Sequence, residues 1–461
     1  MYVFIFRRDF RLDDNTGFIA LLKASGTATV CPVFIFNGRQ ILPEKNPYYS
    51  QNSVEFMLQS LASLEAELMS RLGLRLRYLY AEDGDEVAAL RKLGDIEAIY
   101  SNMDLTPYAR SRDKAIADAG LPLKLLEDYT LTPVDKIKTG GGKPYTVFTP
   151  FYRRCLQDAV PEPVQCPAAR LESCKKPVTG ELTLNEAAKR FCPRSNKNLN
   201  VQGGRRRALA ILARIRAGEF RDYDKERDTP GQPRTTLLSA YNKFGCVSIR
   251  EVYHAILAAH GKEHGLIREL YWREFYALLV YYNPQLLAGK SMRPAYDGIR
   301  WVEPGKNFEL WKEGKTGFPF VDAGMRQLNE TGFMHNRLRM VVSMFLCKDL
   351  HIDWREGERY FASKLVDYDP AQNNGGWQWS SSSGADSQPY FRIFNPWTQG
   401  ERYDADCEYI RRWVPELSDV SPKAIHNSMT GMNAKGYPTP IVEHGAEVKR
   451  TKEYYETALS K

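Results

Sequence analysis

The run Tyr2-Val3-Phe4-Ile5-Phe6 opens the chain, and the charged run Arg7-Arg8-Asp9 follows it directly. Consecutive apolar side chains that end at charges are typical of a strand covered on both faces of a sheet. The run is too short to be a signal peptide. Comparable apolar runs recur at residues 30–36, 76–80 and 98–100, and each is predicted to form a further strand.

Helical patterns separate these strands. The clearest covers residues 51–72, where apolar side chains recur at the spacing of one helix face. Alternating strands and helices predict a parallel sheet with helices on both faces. We therefore predict a Rossmann-like α/β domain over residues 1–127. Such sheets bind ligands at the carboxyl ends of their strands, but the fold alone assigns no function.

The composition changes after residue 127. Residues 128–200 are rich in Pro, Gly, Thr and Lys, and we interpret them as a long interdomain linker with an ordered middle. The linker run Lys138-Thr139-Gly140-Gly141-Gly142-Lys143-Pro144 lacks the spacing of a phosphate-binding P-loop. Residues 201–461 show helical patterns without clear strands, which predicts a second, all-α domain. All eight tryptophans lie after residue 271.

The overall composition is that of a globular protein. A formal net charge of +8 suits a partner made of phosphates without requiring one. No apolar run approaches the roughly 20 residues of a membrane span, so no membrane partner is predicted. The eight cysteines form no C-x-x-C pair, which favours a reducing compartment, and no motif predicts a bound metal.

One face of the helix predicted at residues 266–282 combines charges with aromatic rings. Glu269, Trp272, Arg273 and Tyr276 recur at helical spacing and therefore project together. A solvated face with a Glu–Arg pair would account for the charges, but tryptophan is unusual on such a face. The stripe therefore favours a binding site.

A second segment follows Gly332, which is expected to end the preceding helix. In a new helix that begins near Asn336, the side chains of Asn336, Arg339 and Met340 share a face. The amide offers donors and acceptors to a base edge or a flavin ring, and Met supplies an adaptable apolar surface. A capping Asn followed by a core Met explains the same periodicity equally well.

The stretch Asp367-Tyr368-Asp369-Pro370-Ala371-Gln372-Asn373-Asn374-Gly375-Gly376-Trp377-Gln378-Trp379 is unusual in composition. Its acids, amides and glycines allow the backbone to approach something flat and polar, which favours a functional role over a bare turn. Weaker signals are the hydroxyls of Thr235, Thr236 and Ser239, which can hold a phosphate at a helix start or simply cap it. A set of arginines can form a basic surface or simply be solvated: Arg205, Arg206, Arg207, Arg227, Arg337, Arg392 and Arg402.

Together these segments resemble the photolyase/cryptochrome family, and within it the class I cyclobutane pyrimidine dimer photolyases. The resemblance covers nearly the whole chain. Its main runs are Arg7-Arg8-Asp9-Phe10-Arg11-Leu12-Asp13-Asp14-Asn15, Gly142-Lys143-Pro144-Tyr145-Thr146-Val147-Phe148-Thr149-Pro150-Phe151, Trp272-Arg273-Glu274-Phe275-Tyr276 and Pro389-Tyr390-Phe391-Arg392-Ile393-Phe394-Asn395-Pro396. It implies an α/β domain, a linker and a helical domain that binds FAD. It also implies a light-dependent DNA repair enzyme, a deoxyribodipyrimidine lyase.

The resemblance also implies which side chains would form the site. Those implied to contact the flavin are Tyr223, Thr235, Thr236, Leu238, Ser239, Arg273, Asn336, Arg339, Asp367, Asp369 and Asn373. Those implied to contact the pyrimidine dimer are Arg227, Glu269, Trp272, Asn336, Met340 and Trp379. The positions that match residues near the DNA backbone are Arg337, Arg392 and Arg402.

In the implied reaction, the damaged bases are flipped out of the duplex and are split by an electron from light-excited, reduced FAD. Glu269 is implied to hydrogen-bond a pyrimidine carbonyl, and Asn373 to face the reactive nitrogen of the flavin. Trp377, Trp354 and Trp301 match the family's tryptophan relay, which carries electrons to oxidised flavin. Sequence spacing cannot show whether the three rings line up.

Departures from the family pattern separate some of the alternatives. Leu237 stands where the family usually has Arg, which removes an expected phosphate contact. Photolyases for the (6-4) photoproduct place histidines at the positions of Asn336 and Met340, and His335 lies one position away. Cryptochrome photoreceptors often carry a long C-terminal extension, for which this chain has little room, and tend to replace the amide at Asn373. A dark-acting flavin oxidoreductase is disfavoured because no Gly-x-Gly-x-x-Gly motif occurs.

The family often holds a second, light-harvesting chromophore in its α/β domain. This antenna is a folate, a deazaflavin or another flavin, and the sequence does not indicate which. Residues 37–52 and 101–110 are expected to line its site. We also expect a soluble chain in the cytoplasm or nucleus, and the resemblance implies a monomer.

Overall fold

The computed structural model describes residues 1–168, 170–232, 234–427 and 436–460. The N-terminal part is a five-stranded parallel sheet of order β3-β2-β1-β4-β5. Its strands are β1 (Tyr2–Phe6), β2 (Val30–Asn37), β3 (Arg77–Ala81), β4 (Ala98–Asn102) and β5 (Leu123–Leu126). Its helices are α1 (Thr16–Ser25), α2 (Gly38–Ile41), α3 (Gln51–Leu72), α4 (Glu86–Arg91) and α5 (Pro107–Asp118).

The sheet is buried on both faces, as its opening run predicts. Phe4 and Phe6 belong to one hydrophobic core, while Val3 and Ile5 belong to another on the opposite face. The parallel α/β arrangement is therefore confirmed. Strand β5 was not predicted, because it is a short edge strand whose side chains are partly or fully exposed.

The linker packs against the sheet. It contains a 3-10 turn (Val134–Lys136), α6 (Phe148–Cys155) and α7 (Leu184–Phe191). Isolated bridges tie it back to the strands, since Val30 pairs with Ser173 and Tyr78 pairs with Leu182.

The remainder is helical, and the part of the chain that the structure describes contains no strand after β5. The longer helices are α8 (Arg205–Arg216), α11 (Ile249–His260), α12 (Gly265–Tyr282), α13 (Lys306–Glu313), α14 (Pro319–Thr331), α15 (Asn336–Lys348), α16 (Trp354–Lys364), α17 (Pro370–Ser380), α18 (Pro396–Tyr403) and α21 (His444–Leu459). The shorter ones are α9 (Tyr223–Glu226), α10 (Ser239–Lys243), α19 (Glu408–Trp413) and α20 (Pro422–Ile425), with 3-10 turns at Pro284–Ala288, Pro294–Gly298 and Pro415–Leu417.

Helix ends follow local capping signals. Gly332 ends α14 with a φ of 67°, and His335 caps α15, as expected for a helix that begins near Asn336. Sequence patterns alone assigned no helix to residues 367–379. The structure starts α17 there, because the Asp369 carboxylate accepts hydrogen bonds from two backbone N–H groups and Pro370 occupies the first turn.

Buried ion pairs join the α/β part to the helices. Arg205 lies in the interior, where it pairs with Glu251 at 2.8 Å and with Asp13 at 3.3 Å. The suggestion that Arg205 belongs to a basic surface is therefore wrong, because its charge is already neutralised by these carboxylates. Among the described helices, none is both long enough and apolar enough to span a membrane.

Candidate active site

A cavity of about 1090 Å³ lies among α10, α12, α15 and α17. Pockets for drug-sized ligands have volumes of roughly 300–1,000 Å³, so this one can take a larger ligand. The cavity is lined by all the positions implied for the flavin, which are Tyr223, Thr235, Thr236, Leu238, Ser239, Arg273, Asn336, Arg339, Asp367, Asp369 and Asn373. It is also lined by the positions implied for the dimer, Arg227, Glu269, Trp272, Met340 and Trp379, and by Arg337 and Trp377.

Helix α12 presents its charged and aromatic stripe to the cavity. Arg227 donates to the Glu269 carboxylate at 2.6 Å. Burial raises the pKa of Glu269 against the opposing pull of Arg227. The ring of Trp272 stacks face to face on Phe148, with centroids 3.6 Å apart. Trp272 therefore forms a flat apolar wall whose position depends on the linker helix α6.

Helix α15 contributes a fixed cation. The Arg339 guanidinium lies 2.9 and 3.1 Å from the two oxygens of Asp367, and its Nε donates to the backbone carbonyl of Met334. Nearby, the Asn336 amide nitrogen lies 3.8 Å from the Met340 sulfur. His335 rather than Asn336 caps α15, and Met340 is only partly buried, so the alternative of a capping Asn followed by a core Met does not describe these two side chains.

Helix α17 is anchored by a carboxylate in contact with the α/β part. The Asp369 carboxylate accepts from Arg8 and from the Tyr129 hydroxyl, besides capping α17. Burial alone would raise the pKa of Asp369, but Arg8 and then Lys243 outweigh burial and lower it to about 2. The group is therefore a permanent anion at neutral pH.

The Asn373 side chain, one turn into α17, has a defined orientation. Its amide nitrogen donates to the Glu358 backbone carbonyl at 2.9 Å. Neighbouring Asn374 donates to the Glu358 carboxyl group, whose pKa burial raises to about 7. The Asn373 amide can thus present a hydrogen-bonding group to the cavity without adding a charge.

The segment before α10 supplies hydroxyl groups. Thr236 accepts a hydrogen bond from the backbone N–H of Leu238 at 3.4 Å, and Ser239 begins α10. Leu237 adopts a φ of 55°, in the left-handed region that a branched side chain rarely occupies. The position that departs from the family's usual Arg is thus also a conformationally unusual one.

The three tryptophans of the implied relay lie in or against one core. Trp377 and Trp354 are buried members of it, and partly buried Trp301 packs on its edge. A bridge between Val302 and Ile352 holds the Trp301 segment beside the start of α16. Electron transfer along these rings stays a prediction.

The arginines implied to meet DNA differ in their surroundings. Arg337 pairs with Asp228 at 2.8 Å and lies 4.2 Å from the centroid of the Tyr403 ring. Arg402, the residue before Tyr403, is exposed, and so is Arg392. Neither Arg392 nor Arg402 lines the cavity, but their attachment to α18 and to the preceding loop places them on the surface of the helical part.

Several cavity residues were missed by sequence reasoning. Phe148 and Tyr152 come from the linker helix α6, Lys243 from the end of α10, and Asp386 from the loop after α17. The aromatic run at residues 145–151 was a signal for the first two. No pattern indicated the other two, because their place in the cavity depends on how distant segments pack.

The cavity suits a flavin dinucleotide. Its volume can take a large ligand, hydroxyl groups lie at the start of α10, and the Arg339–Asp367 pair with the Asn373 amide offers donors and acceptors for a polar heterocycle. The indole nitrogen of Trp377 is buried and has no hydrogen-bond acceptor among the residues that the structure describes. Such an atom is expected to find its acceptor in a ligand or solvent.

Comparison with known proteins gives consistent matches. Residues 2–168 match the DNA photolyase family, and residues 266–457 match the FAD binding domain of DNA photolyase. The chain is 37% identical to deoxyribodipyrimidine photo-lyase of Escherichia coli strain K12, over 98% of each chain. The archaeal photolyase of Sulfolobus tokodaii, whose crystal structure contains two FAD molecules, superposes with a TM-score of 0.87 and 40% identity over 99% of each chain. Synechocystis cryptochrome superposes with a TM-score of 0.85 at 26% identity, over 98% of this chain and 99% of that one.

Proposed function

This chain belongs to the DNA photolyase family, and on that premise we propose that it uses light and FAD to repair cyclobutane pyrimidine dimers in UV-damaged DNA. The observation that carries the proposal is a cavity shared by both sets of side chains. The side chains implied for the flavin line the same cavity as Glu269, Trp272 and Trp379, which are implied for the dimer.

Different residues around the cavity would bind different parts of the cofactor. Thr235, Thr236 and Ser239 would hold phosphate groups, while Asp367, Asp369 and Asn373 would meet the polar edge of the ring system. Bound FAD, when reduced and excited by light, supplies the electron that splits the dimer. The protein orients the reacting groups and excludes water from them.

The substrate must leave the DNA duplex to reach this cavity. Photolyases as a class are known base-flipping enzymes, and flipping costs a few kcal/mol, less for a damaged pair. Trp272 and Trp379 would provide the flat surfaces on which the extruded bases stack. Burial raises the pKa of Glu269, and a proton on this carboxyl would let it donate a hydrogen bond to a pyrimidine carbonyl oxygen.

The state of His335 supports this substrate over the (6-4) photoproduct. Burial lowers the pKa of His335 to about 4, and its Nδ1 accepts the backbone N–H of Arg337 as a helix cap. A neutral, structural imidazole is a poor acid at physiological pH. Asn336 and Met340 occupy the positions where the (6-4) enzymes would carry histidines.

Further residues, some of them at the edge of the cavity and some beyond it, would serve the rest of the reaction. We propose that Trp377, Trp354 and Trp301 relay electrons inward, and that Arg337, Arg392 and Arg402 meet DNA phosphates. The photolyase of Sulfolobus tokodaii contains two FAD molecules, one of them implicated in light harvesting. An antenna site in this chain would lie at the carboxyl edge of the sheet, where residues 37–52 and 101–110 follow β2 and β4.

Partner and location follow from the same activity. The partner is UV-damaged DNA, and we propose that the chain acts as a monomer. A DNA substrate places it with the genome, in the cytoplasm or the nucleus.

Repair under light tests the proposal. Purified, chemically reduced protein is mixed with an oligonucleotide that carries one thymine dimer and is illuminated with blue light, beside a matched dark sample. Light-dependent return of thymine absorbance is expected, with none in the dark. A protein that binds flavin but repairs no dimer would overturn the proposal. Repair of a (6-4) lesion instead would reassign the substrate, and failure with both would favour a photoreceptor.

A further inference from the structure

Two cysteines far apart in sequence lie side by side at the start of β2. The backbone N–H of Val30 donates to the Glu172 carbonyl at 2.9 Å, and the N–H of Cys174 donates to the Val30 carbonyl at 3.3 Å. These bonds form a parallel bridge between Val30 and Ser173. Cys31 and Cys174 are therefore opposite each other at the next position of the register.

This placement suits a disulfide. Paired residues on neighbouring strands project to the same face, and the strands are about 4.8 Å apart. Disulfides join residues whose Cα atoms are about 4.4–6.8 Å apart, so little backbone movement is needed. Both side chains also pack in the same hydrophobic cluster, Cys31 within it and Cys174 against it.

The two thiols have unequal surroundings. Cys31 is fully buried, whereas Cys174 is partly exposed. Arg77 places its Nη1 at 3.3 Å from the Cys174 sulfur. The same guanidinium donates to the Lys176 carbonyl at 2.6 Å and pairs through its other nitrogens with the Glu181 carboxylate, which fixes its position and partly offsets its charge. A sulfur beside a fixed cation is stabilised as a thiolate, which is the nucleophilic form.

The acidities agree with this asymmetry. A hydrogen bond from Cys31 lowers the pKa of Cys174, and the Lys176 backbone and the Arg77 guanidinium lower it further against the effect of burial. The same hydrogen bond, together with burial, raises the pKa of Cys31. The pair thus contains one partly exposed thiol with a lowered pKa, Cys174, and one buried thiol with a raised pKa, Cys31.

We propose that Cys31 and Cys174 form a reversible disulfide site, with Cys174 as the attacking thiolate and Cys31 as the resolving thiol. The oxidant is a low-molecular-weight disulfide. Cys174 attacks one of its sulfurs, the oxidant's S–S bond breaks, and the first small thiol leaves. Cys31 then attacks the Cys174 sulfur, the mixed disulfide breaks, and the proton of Cys31 passes to the departing sulfur, which leaves as the second small thiol. Two protein thiols are oxidised by two electrons, and one disulfide is reduced to two thiols.

Such a bond would fasten the linker to the sheet. The linker carries α6, whose Phe148 stacks on Trp272 in the cavity wall. Oxidation would therefore restrain the connection between the two parts of the molecule without touching the cavity itself. The two thiols would react in this way whether or not the chain repairs DNA.

Oxidation of the purified full-length protein tests the site. The protein is reduced, freed of reductant and incubated with oxidised glutathione; free thiols are then blocked and the protein is digested without reduction. Mass spectrometry should find a peptide that joins Cys31 to Cys174, with the other six cysteines blocked as free thiols. Its absence from oxidised protein that keeps its native circular dichroism would overturn the proposal.

Two variants separate the roles of the thiols. Cys31→Ser should keep glutathione on Cys174, because no thiol remains to displace it. Cys174→Ser should carry neither the cross-link nor an adduct at Cys31. An adduct that formed on Cys31 instead would contradict the assigned roles.

A labelling experiment on the unmodified chain avoids any dependence on variant folding. Cys192 is also partly exposed, but burial raises its pKa to about 11. A brief treatment with iodoacetamide at neutral pH should therefore alkylate Cys174 well before Cys192. Equal labelling rates, or faster labelling of Cys192, would count against a thiolate at Cys174.

Discussion

Glu269 shows two opposing influences on one carboxyl group. Burial raises its pKa, and Arg227 at 2.6 Å lowers it. The side chain is 38% exposed, so its carboxyl remains accessible to a ligand in the cavity. It can therefore exchange its bond with Arg227 for one with a bound pyrimidine.

Replacing Glu269 should separate binding from chemistry. We expect Glu269→Ala to reduce dimer repair per absorbed photon several-fold while leaving DNA affinity nearly unchanged, since phosphate contacts supply most of the affinity. Glu269→Gln introduces an N–H donor on a side chain of similar size, which can still bond a pyrimidine carbonyl, and should lose less. Repair yield and a DNA titration measure the two effects. A large loss of affinity in either variant would contradict this role.

Arg402 should contribute to affinity through charge alone. It is exposed, so Arg402→Gln removes a cation without disturbing a buried pair. If Arg402 contacts one phosphate, the slope of log K against log salt should fall in magnitude by about 0.9. Arg206→Gln is the matched control, because Arg206 is an exposed arginine of α8 and matches no position implied to contact DNA, so this variant should leave the slope unchanged. If the slope of log K against log salt were the same for both variants, Arg402 would not contact a DNA phosphate.

At the scale of elements, the contact between α12 and α17 sets the shape of the cavity. The helices approach closely where Gly375 faces Tyr276, and a Cβ at Gly375 would lie 2.1 Å from that ring. At adjacent Gly376, an added Cβ would meet no neighbouring atom of the described part of the chain within 4 Å. The two glycines of α17 therefore have different reasons to lack a side chain.

This difference predicts opposite effects of one methyl group. Gly375→Ala should destabilise the protein by about 1–3 kcal/mol, because overpacking forces the helices apart. In flavin-free protein, Gly376→Ala should be neutral or stabilising by about 0.5–1 kcal/mol, since alanine favours a helix. Because Gly376 lines the cavity, the same methyl group should lower flavin occupancy. Urea unfolding with flavin occupancy monitored distinguishes them. A stabilising Gly375→Ala would show that Tyr276 moves aside without cost.

Across the whole molecule, buried charges hold the α/β part against the helices. Asp128 accepts hydrogen bonds from Arg11 of the N-terminal part and from Arg250 of α11, the latter at 2.8 Å. Burial alone would raise the pKa of Asp128, but these two cations outweigh it and hold the pKa well below its usual range. Its charge is therefore part of what joins the two parts.

Removing that charge should cost stability in a pH-dependent way. Asp128→Asn leaves buried guanidinium groups underpaired, at a cost of about 3–5 kcal/mol near pH 7. Because the pKa of Asp128 is lower in the folded protein than in the unfolded chain, its charge stabilises the fold at pH values above the unfolded pKa of about 3.9. This stabilisation is lost as the pH falls from that value towards the folded pKa. The difference in free energy of unfolding between Asp128→Asn and the wild type should therefore become smaller below about pH 4.

Unfolding midpoints measured from pH 7 to pH 3 test this prediction. The control is Asp118→Asn, which breaks an exposed helix pair with Lys114 and should cost less than about 1 kcal/mol. If the difference between variant and wild type stayed constant down to pH 3, the ionised carboxylate of Asp128 would not be the source of the stabilisation.

Local patterns were sufficient for much of the architecture. The opening apolar run predicted a doubly covered strand, and the periodicity at residues 51–72 matched α3 (Gln51–Leu72) in full. These features depend on neighbours along the chain, whose spacing decides which side chains share a face. The same applies to the α12 stripe that faces the cavity.

Only the tertiary structure decided what depends on distant segments. Phe148 of the linker stacks on Trp272. Arg8, which follows β1, donates to Asp369, and Cys31 lies opposite Cys174. No spacing in the sequence indicates such pairs, because the partners are separated by more than a hundred residues and meet only when whole elements pack. Burial, and with it each shifted pKa, is likewise a property of the packed molecule, since desolvation depends on everything that surrounds a group.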